Sequence, residues 1–360
     1  MPETTAKPLH RYLELDALRG IAALMVVLFH YTLRRDDYND ILKLGTTGVD
    51  LFFIISGFVI FMSLQNIQNG KQFAVNRFAR LYPTYWAAVT FTFVLMAAVS
   101  IYNGRSFLAG DNIWRYIANL TMFQFYLGQP DLDSPYWTLL LEMLFYIFML
   151  LVYKFRLLKH INAIGLTISI TTVVAAQFFY HVPVVKTVIV YVPLLQFMPL
   201  FLMGISFYKI YISNERNISQ YIIPIVCLIC QILLFRYAGR SKHFIHHQEY
   251  AAMLTLFFIF FCAFVNGLLG FIVNKYTLFL GRISYAVYVV HQYVSLKVIF
   301  PVFLEKLGLN FWITSLFIAL PAVILIATAI TYFIEVPFRY RLKKALSPVF
   351  VPKEENQPLC

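Results

Sequence analysis

Apolar residues run in long unbroken stretches along this chain, and polar residues are mostly confined to the short gaps between them. Crossing the roughly 30 Å of hydrocarbon in a bilayer takes about 20 apolar residues in helical form. Ten runs have that character: 13–33, 47–66, 81–103, 136–155, 161–180, 187–208, 220–236, 250–273, 277–299 and 309–334. A backbone in lipid must satisfy its own hydrogen bonds, so each run predicts a spanning helix. The fold class is therefore all-α, a polytopic integral membrane bundle of about ten helices. One further run, Asn112 to Gly128, is shorter and carries Arg115. It reads as an interfacial or re-entrant helix; if it crosses, the count becomes eleven and every later span inverts.

Composition agrees with the pattern. Hydrophobic residues make up 60% of the chain and charged residues 13%, against about 45–50% and about 25% in soluble domains. Lipid must therefore be the solvent for most of the surface. The net charge of +12 does not point to nucleic acid, because the basic residues sit in short loops rather than on one polar face. More Lys and Arg fall on one side of the ten-span arrangement, which places both termini in the cytoplasm. Residues 1–12 then form a cytoplasmic N-terminal segment, 13–339 the transmembrane domain and 340–360 a cytoplasmic tail. The first run carries Asp16 and Arg19 in its opening turns, unlike the uncharged core of a cleavable signal. Neither the C-x-x-C of Cys227 and Cys230 nor the three histidines of RSKHFIHHQE leads us to expect a metal site. The former lies in an apolar helix and the latter reads more simply as a solvated loop.

The informative residues are the ionisable ones inside the apolar runs, where each costs several kcal/mol and so raises a functional question. Arg19 and His30 are eleven residues apart, about 1100° of helix and about 16 Å of rise, so they share one face at opposite depths. Asp50 begins the second run, near the depth of His30. Arg77 and Arg80 lie three apart in RFARLYPTYW, on one helix face suited to gripping a phosphate or anchoring at the interface. Glu142 lies about six residues into the fourth run, where His30 is a partner for it. Arg282 and Glu335 fall at the cytoplasmic edge, and His291 near mid-depth. His291, Ser56 and Tyr285 read as packing residues or channel lining. Two clusters result. Asp16, Arg19, Arg77, Arg80, Arg282 and Glu335 form an inner one rich in cations. His30, Asp50 and Glu142 form an outer one, a base flanked by carboxylates, as activation of a hydroxyl requires.

Six stretches carry a resemblance: LDALRGIAALMVVLFHY, GVDLFFIISGFVI, RFARLYPTYW, YWTLLLEMLFY, LGRISYAVYVVH and IEVPF. In this order they resemble acyltransferase family 3, the membrane O-acyltransferases that modify bacterial surface glycans. The family's Arg and His separated by ten residues fall on Arg19 and His30, its R-x-x-R on Arg77 and Arg80, and its acidic position before F-Y on Glu142. Thr138 stands where the family usually has Ser. The resemblance implies an inner-membrane enzyme taking acyl-CoA, acetyl-CoA by default, from the cytoplasm and acylating a glycan or glycolipid hydroxyl outside. The family often carries a fused hydrolase-like domain, and we expect none here. Arg19, Arg77, Arg80 and Arg282 are then candidates for the coenzyme phosphates. His30 is the candidate base or acyl carrier, with Asp50 or Glu142 orienting it, and Tyr136 and Trp137 are candidates for the acceptor. A proton-coupled exporter of an organic anion is the alternative that the same intramembrane charges allow, although no inverted repeat accompanies them.

Overall fold

The computed structural model describes residues 12–33, 40–104, 106–107, 110–213 and 217–350. Most of the N-terminal segment and the last ten residues of the tail, Cys360 among them, lie outside the described residues. Among those described, the secondary structure is helical without strands. Eight helices are long and apolar enough to cross a membrane. α1 (Leu13–Thr32) has the length but carries Glu14, Asp16 and Arg19, and Ile218–Leu234 is a shorter apolar helix. With these two, the ten predicted runs are all helical. The other elements used below are α2 (Gly48–Gln65), α3 (Gly70–Tyr102), α4 (Gly110–Leu120), α5 (Trp137–Lys154), α6 (Ile161–Phe179), α7 (Pro183–Tyr191) and α8 (Leu194–Ile212). They continue with α9 (Ile222–Leu234), α10 (His247–Val265), α11 (Lys275–Tyr293) and α12, the continuous run Phe311–Leu342.

Two departures from the pattern have local causes. The predicted run 187–208 is divided: α7 ends at Tyr191 and α8 starts at Leu194. Pro193 excludes the preceding Val192 from helical dihedrals, and Val192 sits at φ −115°, ψ 69°. The short run near Arg115 becomes α4, 11 residues or about 16 Å long, which is half of what a crossing needs. Its Arg115 donates to the backbone carbonyls of Pro130 and Asp131, so the loop after α4 folds back on the helix that precedes it.

Close backbone approach builds the centre. Lipid gives helices no hydrophobic reason to associate, so packing depends on small residues that let backbones touch. α1 and α11 run side by side in the same direction and meet at Gly20 and Gly281. A Cβ on Gly20 would lie 2.7 Å from the Gly281 nitrogen, and one on Gly281 would overlap the Asp16 carbonyl. Gly57 of α2 and Gly204 of α8 interlock in the same way against the Phe201 and Ile54 carbonyls. From Gly20 to His30 and from Gly281 to His291 are ten residues each. The glycine contact at one end therefore sets two histidines side by side at the other, their ring centroids 5.0 Å apart.

Candidate functional site

His30 occupies the last turn of α1 and His291 the last turn of α11. His30 Nδ1 is 2.8 Å from the Val26 carbonyl and 3.2 Å from His291 Nε2; His291 Nδ1 is 2.8 Å from the Tyr288 carbonyl. A carbonyl only accepts, so both Nδ1 atoms carry the hydrogen, an assignment made from the partners. His291 Nε2 then accepts from His30 Nδ1–H. Both Nε2 atoms are then unprotonated; that of His291 is engaged with His30, and that of His30 stays outside the pair, on the ring that lines the cavity at this end of the bundle. A neutral imidazole so held can take up a proton, which is what a general base does.

Asp50 lines the same cavity, brought there because Gly45 and Gly48 lie directly on α1; a Cβ on Gly48 would stand 2.7 Å from the Ala22 carbonyl. Its carboxylate accepts from the Tyr250 hydroxyl at 2.8 Å, and that hydroxyl accepts from Gln231 Nε2 at 3.2 Å. The expected carboxylate support for His30 is thus replaced. Val26 and His291 orient the ring, while Asp50 is held by Tyr250. His291, placed near mid-depth by counting along its own run, stands level with His30 because α11 starts in register with α1.

A second cavity lies deeper, at the Arg19 end. Arg19, Ser56, Thr138, Glu142, Ser284 and Tyr285 line it, together with Val49 and Tyr288, which also line the His30 cavity. The two spaces therefore adjoin and share one wall. Thr138 fixes it: its hydroxyl is 2.9 Å from the Tyr288 hydroxyl and donates to the Pro135 carbonyl at 3.0 Å. The hydroxyl of Thr138 thus has a defined partner where the family usually has Ser. Ser56 and Tyr285 line this second cavity, and Tyr285 also packs against the core and donates to the Leu81 carbonyl at 3.1 Å.

Glu142 belongs to this second cavity rather than beside His30, a correction to the predicted outer cluster. Trp137 opens α5 at the His30 cavity, Thr138 already faces the second, and Glu142 lies a further turn on. It accepts from the Tyr146 hydroxyl. Arg77 lies against the Tyr146 and Phe73 rings, 5.6 and 5.3 Å from their centroids, with its Nε buried and without a hydrogen-bond partner among the described residues. Arg80 is within electrostatic range of both Arg19 and Arg77. Glu142 is within electrostatic range of Arg19 and Arg77, Asp16 is within range of Arg19, and of the three arginines Arg19 alone lines this cavity. Arg282 departs from the predicted cluster: it is exposed and donates to the Tyr332 hydroxyl at 2.9 Å. Glu335 accepts from Thr84 at 3.1 Å.

Of the two acceptor candidates, Trp137 lines the His30 cavity and Tyr136 does not. Tyr136 is fully buried, its hydroxyl 3.2 Å from Thr92, so it serves the packing behind the site. Arg240 was missed. It reaches the His30 cavity from the loop before α10, lies over the Trp137 ring at 5.3 Å, and bonds Ser134 Oγ at 2.8 Å and Asp131 Oδ2 at 3.3 Å. Nothing in RSKHFIHHQE distinguishes that arginine from an ordinary loop cation. Asp133 was missed too. It takes the Ser134 and Tyr293 backbone N–H groups at 2.9 and 3.0 Å, and burial pushes its carboxyl up to about 7. Among the described residues no three His, Cys, Asp or Glu side chains come together as a metal site; His247 of the histidine loop is engaged with the Ile232 carbonyl at 3.1 Å.

Comparison with known proteins places this geometry. A relative described as "Putative acetyltransferase ORF330" from Acidianus two-tailed virus is 26% identical over 283 residues, 76% of this chain and 80% of its own. Acyltransferase MdmB of Streptomyces mycarofaciens is 31% identical over 148 residues, 37% of either chain. Peptidoglycan O-acetyltransferase OatA of Listeria monocytogenes is 29% identical over 152 residues, 37% of this chain but 22% of its own. No solved structure matches. The family model described as an acyltransferase domain matches residues 12–335, spanning α1, both cavities and Glu335. The chain belongs to acyltransferase family 3 and is an acyltransferase.

Proposed function

We propose that this enzyme is an O-acyltransferase of the bacterial inner membrane, with both termini in the cytoplasm. It carries an acyl group, acetyl by default, from acyl-CoA bound at the Arg19 end to a glycan or glycolipid hydroxyl at the His30 end. The observation that carries the reading is the shared wall: Val49 and Tyr288 belong to both cavities, so a space lined by Arg19 and Glu142 and a space lined by His30 adjoin within one bundle, and on this reading that wall is the neck between them. Arg19, with Arg77 and Arg80 behind it, supplies the positive field for the coenzyme phosphates. The pantetheine arm and its thioester follow the α1 face to the neck.

At the neck, His30 Nε2 takes the proton of the acceptor hydroxyl as its oxygen attacks the thioester carbonyl. The carbon–oxygen ester bond forms, the carbon–sulfur bond breaks, and the departing coenzyme thiolate recovers the proton from the imidazolium. His291 holds the ring in the productive tautomer. Asp50, close by and tethered to Tyr250, offsets the positive charge that develops on His30. Similarity to a peptidoglycan O-acetyltransferase supports acetyl as the group and a cell-envelope glycan as the acceptor.

The test is a mass spectrum of the surface glycans with and without the gene. The reading expects peaks to shift by one acyl unit on deletion and to return on complementation. An unchanged spectrum, together with purified protein that does not consume acyl-CoA, contradicts it.

A further inference from the structure

A third recess adjoins the His30 cavity, and the chemistry above makes no use of it. Gln124, Gln129, Asp131 and Arg240 supply its polar wall, and apolar side chains of α5 and the α7–α8 link its floor. Trp137 and Arg240 line both this recess and the His30 cavity, so the two spaces share one wall.

The wall is built, not loose. α4 holds the loop 121–133 from below. Arg115 grips the Pro130 and Asp131 carbonyls. Asn119 donates to Pro130 O and accepts from Leu132 N, both at 3.0 Å. Gln124 is 1% exposed, and its Nε2 donates to Asp131 Oδ1 at 2.8 Å. Asp131 only accepts when ionised, which fixes the direction of the Gln124 amide. The amide oxygen is then left buried with no partner among the described residues. An unpaired buried acceptor is costly, and a ligand hydroxyl would satisfy it.

Charge narrows the ligand. The Arg240 guanidinium is already matched by Asp131 at 3.3 Å, so the recess has no spare cation for a phosphate or a carboxylate. What it offers is a carboxylate, planar amides and a guanidinium above an apolar floor. That set suits a ring with alternating hydroxyls and an aliphatic face.

We propose that the recess between loop 121–133, Trp137 and Arg240 is a subsite for a neutral saccharide unit of the acceptor. It holds the unit beside the one whose hydroxyl reaches His30. This rests on the acyltransferase reading above and names how the acceptor is recognised.

The experiment uses full-length protein in lipid nanodiscs, labelled acetyl-CoA, and envelope glycan extracted from the strain that carries the gene. Acceptor KM and donor KM are measured for the unaltered protein, Gln124→Met and Gln129→Ala. Gln124→Met keeps the side-chain length and removes the amide; Gln129 is only partly buried, so its truncation tests the subsite where folding is least at stake. Both variants should raise acceptor KM, Gln124→Met by about tenfold, with donor KM and kcat within about twofold. Transfer that proceeds with acceptor KM unchanged in both variants overturns the subsite and leaves the acyltransferase reading standing. No transfer by the unaltered protein overturns that reading, and the subsite with it.

Discussion

The two cavities that meet at Val49 and Tyr288 differ in kind. The one at the Arg19 end is ionic: a guanidinium and a carboxylate line it, with Arg77 and Arg80 close behind. The one at the His30 end centres on an imidazole backed by that of His291, beside a carboxylate held by a tyrosine and several hydroxyls, and its one guanidinium, Arg240, is matched by Asp131. The first arrangement suits holding a polyanion. The second suits moving a proton. One helix, α1, supplies the leading residue of each, so in the proposed function binding and chemistry are separated by helical rise rather than by domains.

That contrast can be broken residue by residue. His30→Ala should have the largest effect, lowering transfer by about 10²–10⁴-fold, the usual range for a positioned base. Acyl-CoA affinity, read by equilibrium binding, should stay within about twofold. A His30→Ala protein that keeps most of its activity would remove the imidazole from the mechanism. Arg19→Ala should do the reverse, weakening acyl-CoA binding by about tenfold to a hundredfold, the scale of a charge-assisted hydrogen bond. An unchanged donor affinity would move the coenzyme elsewhere. Arg282→Ala should do least, changing donor KM by less than about twofold, because that side chain faces Tyr332 at the protein surface. A large effect there would restore the cluster that the sequence pattern predicted.

The fate of Arg282 shows what sequence reading captures. The ten helices were legible because apolar runs of that length leave a chain little choice in lipid. Arg19 and His30 were legible as a pair because one helix carries both, and helical geometry converts their spacing into a shared face. Glu142, His291 and Arg282 were misplaced for one common reason. Their depths and facings were counted along their own helices, while the register between helices is set by contacts such as Gly20 against Gly281. Those contacts have no local signature. Arg240 was illegible because its role comes from a loop laid over Trp137, and loop placement is a tertiary fact. The division of α7 from α8 was within reach, since Pro193 was in plain view.

The account depends on the neck being the path of the thioester. Val49→Phe adds bulk there from α2 while leaving Arg19 and His30 unsubstituted. Acyl transfer and acyl-CoA binding should then be measured on the same nanodisc preparation. The account predicts transfer reduced at least about a hundredfold, as expected when reacting groups cannot approach, with acyl-CoA affinity essentially unaltered. Val49→Phe protein that transfers at the normal rate would show that acyl groups do not pass between these two cavities.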